Sequence, residues 1–512
     1  MRRLSVALAV LVVGCVADPR DPKTWTGKLG DPREGKEAIN QLVKLKDPAA
    51  VQPLLDLYKK GKDPEVLKAI ASFKDKRQVP TMIEALDYSE DSYDSAATAA
   101  NALGDTPDPS SVDALAKALA KPLPVKTRAN IVKLEAMKSL AKIGDKRAVD
   151  TLDKVLGTSA DDQDFFLNKN AAAQLAKFAD PRSIPFLVRG MFMTGRGADI
   201  FAECRTALVA IGEPAVPALV ETMARKNASI EADAKKYEFI PGIIVQKTSI
   251  VLGDIRSKTA VAPLLAELGK KDDGLAAGPG KGVSGHQSVI IALGEIGTPD
   301  VTKPLQGILE SKQSMKLRAA AAEALNGVGD VSALPALLKV ANESFINAKS
   351  KEIDGEHGAL VAAAATSYSR IAWAEQANVT WQKLPADLEE SDAHVVFKNA
   401  SERLEVAKTC KKDVACYAKM LDDKDSAKAE KAALMLSRLG APGLAALGKS
   451  VGNSDLSVRM VVLIGLAHAG KMSPEARTAL EKQIELDETK PMMKKAGIVD
   501  EMRVVLAHVS HS

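Results

Sequence analysis

The residues of this 512-residue chain that are best suited to chemistry are four cysteines and six histidines. Such side chains bind metals, or act as acids, bases and nucleophiles, when several converge at short and regular spacing. The histidines form no His-x-x-x-His pair and no cluster with metal-ligand spacing: they are His286, His357, His394, His468, His508 and His511. No Cys/His dyad and no G-x-S-x-G motif stands out either. The sequence therefore predicts no metal site, no cofactor and no catalytic residue.

Cys15 is distinguished by what precedes it. Met1-Arg2-Arg3 is basic, and residues 4–13 form an apolar run of ten residues. A membrane span needs about 20 apolar residues, whereas a run of this length after a basic start is typical of a secretory signal. The run ends Val12-Val13-Gly14-Cys15, which resembles the lipobox of bacterial lipoproteins.

The lipobox resemblance implies that residues 1–14 are a signal peptide and that Cys15 is the lipid attachment site. Residues 15–24 then form a lipidated tether to the bilayer, since two or more acyl chains give stable anchoring. Val16, where an Asp would favour the inner membrane, favours the outer membrane of a bacterial cell envelope, facing the periplasm. The alternative is an uncleaved signal with an incidental cysteine.

The remaining cysteines have different expected roles. Cys410 and Cys416 flank the turn KKDVA, and export to an oxidising compartment predicts that they form a disulfide. A reduced pair is the alternative, and zinc would need two further ligands that the neighbourhood lacks. Cys204 lies on a predicted repeat helix, where a free cysteine ordinarily behaves as a small buried hydrophobe.

The rest of the chain repeats one pattern, seen in SLAKIGDKRAVDTLDKVL (139–156) and ALNGVGDVSALPALLKV (324–340). Each copy is an apolar helix end, a glycine beside an acidic residue, and a second apolar helix. A glycine provides the left-handed conformation that closes a helix. The predicted turn glycines are Gly104, Gly144, Gly212, Gly253, Gly297 and Gly329. The pattern predicts an all-α chain of helical hairpins.

A second signature opens the first helix of several copies and places Arg128, Arg318 and Arg459 at the same position. Together the two signatures resemble the HEAT repeat, in particular its short, Ala-rich branch shared with phycobilisome-lyase-like proteins. The resemblance implies an α-solenoid of about 12 to 13 stacked hairpins. It also implies that the helix before each turn lines the concave face, and that the arginines bond to acidic turn residues of a neighbouring unit.

The predicted organisation after the tether has three parts. Residues 25–343 form the repeat array with a Gly-rich insertion near 271–287, residues 344–409 are divergent helical repeats, and residues 410–512 are C-terminal repeats with a capping helix. The divergent part contains Trp373 and Trp381. These two fill a joint of the solenoid or form a partner-binding patch, since Trp is enriched at binding hot spots.

Three ligand classes are disfavoured. Residues 278–282, GPGKG, lack the spacing of a phosphate loop and a preceding strand, so no nucleotide is expected. Seventy basic against sixty-six acidic residues give no field for nucleic acid. The HEAT family of deoxyhypusine hydroxylase binds iron through His-Glu pairs, and the chain contains no His-Glu dipeptide.

These observations predict a membrane-anchored lipoprotein whose solenoid is a non-enzymatic scaffold for an envelope protein bound on the concave face. The alternative is a carrier or lyase-like protein that binds a small apolar or tetrapyrrole ligand in the groove. A structural spacer is a third possibility.

Overall fold

Helices joined by short turns make up nearly all of the computed structural model. It describes residues 18–89, 92–195, 197–278, 280–345, 354–382, 392–453, 456–469, 472–491 and 497–509. The chain divides into two compact units, Met1–Gln174 and Leu175–Ser512, and the division falls inside one helix. The prediction of an all-α solenoid of helical hairpins is confirmed.

The described part of the first unit contains nine helices, and a tenth helix spans the boundary between the two units. They are α1 (Pro22–Thr26), α2 (Gly35–Leu45), α3 (Val51–Gly61), α4 (Pro64–Ala71), α5 (Val79–Ala85), α6 (Tyr93–Asp105), α7 (Val112–Ala120), α8 (Asn130–Ile143), α9 (Val149–Gly157) and α10 (Phe165–Phe178).

The second unit continues the same alternation and includes one short antiparallel strand pair. Its elements are α11 (Ile184–Gly190), β1 (Thr194–Gly195), β2 (Ala198–Asp199), α12 (Phe201–Ile211), α13 (Val216–Met223), α14 (Ala228–Lys236), α15 (Ile243–Ile255), α16 (Val261–Leu268), α17 (Asp273–Ala276), α18 (Gly285–Ile296), α19 (Thr302–Glu310), α20 (Met315–Val328), α21 (Leu334–Ala341), α22 (Gly355–Ile371), α23 (Asp392–Cys410), α24 (Val414–Met420), α25 (Ser426–Arg438), α26 (Gly440–Lys449), α27 (Leu456–Ala469), α28 (Pro474–Glu488) and α29 (Ile498–Val509).

The turn inside most hairpins has one construction. A residue with positive φ ends the first helix, and the next residue caps a 3₁₀ turn that leads into the second helix. In the turn after α8, Gly144 has φ 73°, and the Asp145 side chain accepts a hydrogen bond from the backbone N–H of Arg147. The 3₁₀ turns span 48–50, 76–78, 109–111, 146–148, 181–183, 213–215, 258–260, 299–301 and 331–333.

Two of the six predicted turn glycines have another role. Gly104 and Gly253 lie inside α6 and α15 with helical φ, so the expectation of a left-handed cap is wrong there. A Cβ at Gly104 would collide with Ser139 of α8, and one at Gly253 would collide with Glu295 and Ala292 of α18. These glycines allow close packing between helices. Their turns bend at other residues, such as Arg256 with φ 58°.

The helices that precede the turns pack side by side. Within the second unit α15 contacts α18, α18 contacts α20, and α20 contacts α22. Small residues at the contacts allow these helices to approach closely. A Cβ on Gly294, for example, would lie only 2.5 Å from the Cα of Ala324. The same helices also contribute fully buried leucines to the core: Leu252, Leu293 and Leu325. The core is therefore aliphatic, as the low aromatic content leads one to expect.

The last described helix makes a contact that the repeat pattern did not indicate. α29 packs on α27 and α28, as expected for a C-terminal cap, but it also packs on α12. Arg205 of α12 donates to the carboxylate of Glu501 in α29 at 2.9 Å. Residues far apart in sequence thus meet within the second unit.

The Gly-rich insertion is tied to the helices on both sides. The Asp272 carboxylate accepts from the backbone of Gly274, at the start of α17, and from the hydroxyl of Ser284 at 2.7 Å, just before α18. Gly274 and Gly242 both lie against the backbone of Val283 with no room for a Cβ. The described part of the insertion therefore has a defined, close-packed conformation.

Cys410 and Cys416 form a disulfide in the structure, with Cα atoms 5.4 Å apart. Cys410 is the last residue of α23 and Cys416 lies in the first turn of α24. The third described cysteine, Cys204, is 0% exposed, and its burial raises the pKa of the thiol. The oxidation state of these three cysteines can be measured on protein isolated from cells.

We expect non-reducing peptide mapping of the purified protein to show Cys410 linked to Cys416. Cys204 should react with an alkylating agent only after unfolding, because the folded protein covers it. Removing so short a cross-link should cost about 2 kcal/mol of unfolding free energy. Alkylated thiols at both Cys410 and Cys416 before reduction would contradict this prediction.

Candidate functional site

The residues predicted to bind partners do not meet in one place. Cys15 lies outside the described residues. Trp373 is half-buried against the C-terminal core, with the ammonium of Lys412 6.0 Å from its ring centre. Trp381 is half-buried in another aromatic group, 5.8 Å from Tyr368 and 5.7 Å from Phe397. Each ring is partly covered by the protein's own side chains, and a recognition role for either stays a prediction.

The repeated arginines bond differently from the expectation. Arg459 forms a buried ion pair with Asp487 of α28, the partner helix in its own hairpin. Arg318 donates to the Leu309 carbonyl at 2.7 Å, and to Glu343, which follows α21. Neither acid is a turn residue of a neighbouring unit, so that expectation is wrong. Arg128 is exposed and pairs with no acid among the described residues.

Other arginines bond to a neighbouring turn. Arg147 holds Asp145 in its own turn and donates to the Pro109 carbonyl of the preceding turn at 2.8 Å. Arg77 does the same with Asp75 and the Pro48 carbonyl, at 2.7 Å. The repeated Asp-Lys-Arg of these turns was the sequence signal for this contact.

One buried lysine was not predicted from the sequence. Lys431 of α25 is fully buried and donates to the carbonyls of Ser369, Arg370 and Ala372 at 2.9, 2.9 and 2.6 Å. These carbonyls end α22, where helices leave acceptors unsatisfied. Burial lowers the pKa of Lys431, and the nearby Arg438 lowers it further. All three donors of the ammonium are used, so the group is structural.

Two neighbouring helices of the second unit carry the same pattern at the same register. It is a glutamine, an isoleucine four residues on and an acid four residues further: Gln246, Ile250 and Asp254 in α15, and Gln287, Ile291 and Glu295 in α18. Residues four apart share one face of a helix. We call these six residues the paired stripe.

The paired stripe borders a cavity of about 420 Å³, lined by all its members except Asp254 and by Val283, Ser284 and Ser288. The side-chain amides of Gln246 and Gln287 make no hydrogen bond within the described part of the chain, and the Glu295 carboxylate has no hydrogen bond or ion pair there. Ile291 is 37% exposed. A pocket with a few converging polar groups is the usual form of a binding site.

Asp254 differs from Glu295 because its carboxylate forms an ion pair with an arginine. Arg205 donates to both Asp254 oxygens, at 2.6 and 3.0 Å, and also to Glu501. Burial disfavours the charge on Arg205, but the two carboxylates outweigh it and raise the pKa of the guanidinium. Burial also raises the pKa of Asp254, and Arg205 opposes that rise.

The Glu295 carboxyl has a strongly shifted pKa. Burial and then Asp254 raise it to about 8, Arg256 and Arg205 oppose the rise, and Glu501 adds to it. The Glu295 carboxyl lies against Gly253 of α15, and the residues of α20 that pack on the neighbouring Gly294 and Gly297 are Ala324 and Gly327, which carry no charge. Glu295 is the one acidic or basic residue among the described residues that line the cavity, and a titratable group with a shifted pKa in a cavity is a candidate functional residue.

Two further properties bear on function. The described residues contain no group of three or more His, Cys, Asp and Glu side chains placed to hold a metal ion. No single helix in the described ranges has the length and apolar content of a membrane span; the residues 201–211 and 213–223 meet that measure only jointly, across a bend of 115°.

The shifted pKa of Glu295 predicts a pH-dependent stability. The folded pKa lies above the ordinary value of 4.5, so the folded state loses stability relative to the unfolded chain as pH rises from about 4.5 to about 8. Glu295→Gln cannot ionise and escapes this loss. Its urea midpoint should therefore rise relative to wild type between about pH 5 and pH 8.5. Gln287→Ala, which removes a neighbouring side chain without a titrating group, should show a constant difference. A constant difference for Glu295→Gln too would contradict the assignment.

Comparisons with known proteins agree with the hairpin pattern. Residues 286–346 match the model of HEAT repeats, and residues 96–121 and 132–158 match the PBS lyase HEAT-like repeat. These ranges overlap α6 to α9 in the first unit and α18 to α21 in the second. A comparison with curated proteins gives no match.

Solved structures show distant similarity. Human deoxyhypusine hydroxylase in complex with glycerol is 15% identical, with 60% of this chain and 96% of that chain covered and a TM-score of 0.22. The complex of CpcE and CpcF of phycocyanin lyase from Nostoc sp. PCC7120 is 18% identical, with 64% and 94% covered and a TM-score of 0.25. Kap121p bound to Pho4p is 12% identical, with 93% and 55% covered and a TM-score of 0.45. The family models match hairpins in both units, and they show HEAT repeats at residues 96–121, 132–158 and 286–346.

Proposed function

We propose that this HEAT-repeat protein is a non-enzymatic scaffold that binds a protein of the bacterial cell envelope and is anchored to the membrane by lipid on Cys15. The observation that supports binding is the paired stripe, where the side chains of Gln246, Gln287 and Glu295 border a cavity and make no hydrogen bond with any residue that the structure describes. Stacked repeats commonly use such extended helical surfaces to hold other macromolecules. The anchor is supported by the lipobox resemblance of Val12-Val13-Gly14-Cys15.

The alternative is a carrier or lyase-like protein for a small apolar or tetrapyrrole ligand. The match of residues 96–121 and 132–158 to the PBS lyase HEAT-like repeat is the observation in its favour. A visible absorbance that copurifies with the protein would favour this alternative over the scaffold.

Site-specific crosslinking in living cells tests the scaffold. A photoreactive p-benzoylphenylalanine in place of Ile291, which is exposed beside the cavity, should capture one envelope protein. The same residue in place of Lys303, exposed on α19, is the matched control and should not capture it. Absence of any adduct from position 291, or the same adducts from both positions, would contradict the scaffold.

The anchor is tested separately with Cys15→Ser, which removes the thiol that accepts lipid. We expect radiolabelled palmitate to be absent from the variant, and the protein to appear in the soluble fraction or as an uncleaved precursor. Cys204→Ala should keep the label, because Cys204 is buried in the fold. Equal labelling of Cys15→Ser and wild type would refute the anchor.

A further inference from the structure

We infer that the paired stripe binds an extended segment of the partner protein that carries a basic side chain, with the Glu295 carboxylate receiving the lysine or arginine and the Gln246 and Gln287 amides bonding to the segment's backbone. This inference rests on the proposed scaffold function and names the chemistry of its partner.

The first support is the spacing of the two glutamines. They occupy equivalent positions on α15 and α18, which lie in direct contact through Gly253 and Ala292. Packed helix axes lie about 8–10 Å apart. An extended chain rises about 3.3 Å per residue, so about three residues of a crossing segment separate one amide from the next.

The chemistry of the amides suits a backbone. A glutamine side chain has both a carbonyl acceptor and two N–H donors, so one amide can bond to the C=O and the N–H of a single peptide unit. Gln246 and Gln287 both line the cavity and have no hydrogen bond with a described residue. Recognition of this kind holds a segment in extended form without selecting its side chains.

Charge selects a basic side chain. Glu295 lines the cavity and interacts with the charges of Asp254, Glu501, Arg205 and Arg256. Arg205 bonds to Asp254 and Glu501, and Arg256 makes no direct bond to Glu295 in the described part of the chain, so one negative charge of this group remains uncompensated when Glu295 ionises. Glu295 is the acid without an ion pair in the described residues, so an entering ammonium or guanidinium would form a charge-assisted hydrogen bond there. An acidic segment would disfavour the ionisation of Glu295 further and form no ion pair with it.

The apolar members of the stripe complete the site. Ile250 and Ile291 line the cavity between the glutamines and the acids, and Ile291 is substantially exposed. Lysine and arginine bury their methylene stems along apolar surface while the charged end reaches a polar group. Along each helix the glutamine is therefore placed to contact the backbone of the segment, the isoleucine to contact the methylene stem of its basic side chain, and the acid to lie near the charged end.

Peptide binding tests the inference. The probe is a fluorescein-labelled peptide of alternating alanine and lysine, blocked at both ends, and its control has glutamate in place of lysine. Anisotropy is measured with the full chain at about 0.15 M salt, where long-range charge effects are screened. We expect the lysine peptide to bind wild type at least about tenfold more tightly than the glutamate peptide, and Glu295→Gln to lose about tenfold. Gln246→Ala and Gln287→Ala should each weaken binding.

The matched control is Glu310→Gln, which makes the same charge change at an exposed position on α19 and should leave binding unchanged. Circular dichroism checks that each variant keeps its helix content. Unchanged binding by Glu295→Gln, or equal binding of both peptides, would overturn the inference. Binding of free spermidine that depends on Glu295, without binding of the lysine peptide, would replace the peptide with a small polyamine and also overturn it.

The failures of the two proposals are distinguishable. A partner crosslinked from position 291 equally in the wild-type and Glu295→Gln backgrounds would overturn the basic-segment inference and leave the scaffold standing. Absence of any crosslinked partner in both backgrounds would overturn the scaffold itself.

Discussion

The close approach of neighbouring helices is the constraint on which the rest of this structure depends. Glycines and alanines face one another where adjacent turn-preceding helices meet, as Gly294 meets Ala324 and Gly253 meets Ala292. A missing Cβ brings two backbones into contact, and many weak dispersion contacts then add up along the helix pair. Because each helix sits against the next in the same way, residues at equivalent positions line up from one helix to its neighbour. The paired stripe is a consequence of that alignment.

Most buried charges in the described part of the second unit have a hydrogen-bonded partner, whereas Glu295 and Arg256, beside the candidate site, interact with each other without a direct bond. Lys431 gives all three of its donors to carbonyls at the end of α22, and Arg459 meets Asp487 inside a hairpin. Removing one partner from such a pair is costly, since it leaves a charge in a poorly solvated place. Glu295 has no such partner among the described residues, and burial raises its pKa to about 8. In the proposed complex, a cation of the bound segment would favour the ionised form of this carboxyl.

Much of the fold could be predicted because the turn signal is local. A residue in left-handed conformation followed by an Asp cap needs only adjacent residues, as Gly144 and Asp145 show, so repeated copies of the signal reveal the repeated hairpins. The same local signal misled at Gly104 and Gly253, where glycine serves contact between helices rather than a turn. Lys46 and Ala179 adopt the left-handed conformation without being glycine, and the Asp-Pro pair that follows each of them is the sequence signal of its turn.

The sequence by itself determined the helical hairpins, most of their turns, the aliphatic core and the closeness of Cys410 and Cys416 across one turn, because each depends on residues close together in the chain. Only the tertiary structure decided that α29 packs on α12 and that Arg205 joins Asp254 to Glu501. It also decided that Gln246, Gln287 and Glu295 border one cavity while the two tryptophans lie in different groups. Such contacts depend on the angles and distances between successive hairpins. Small differences at each helix interface add up along the chain, and no local sequence pattern specifies the result.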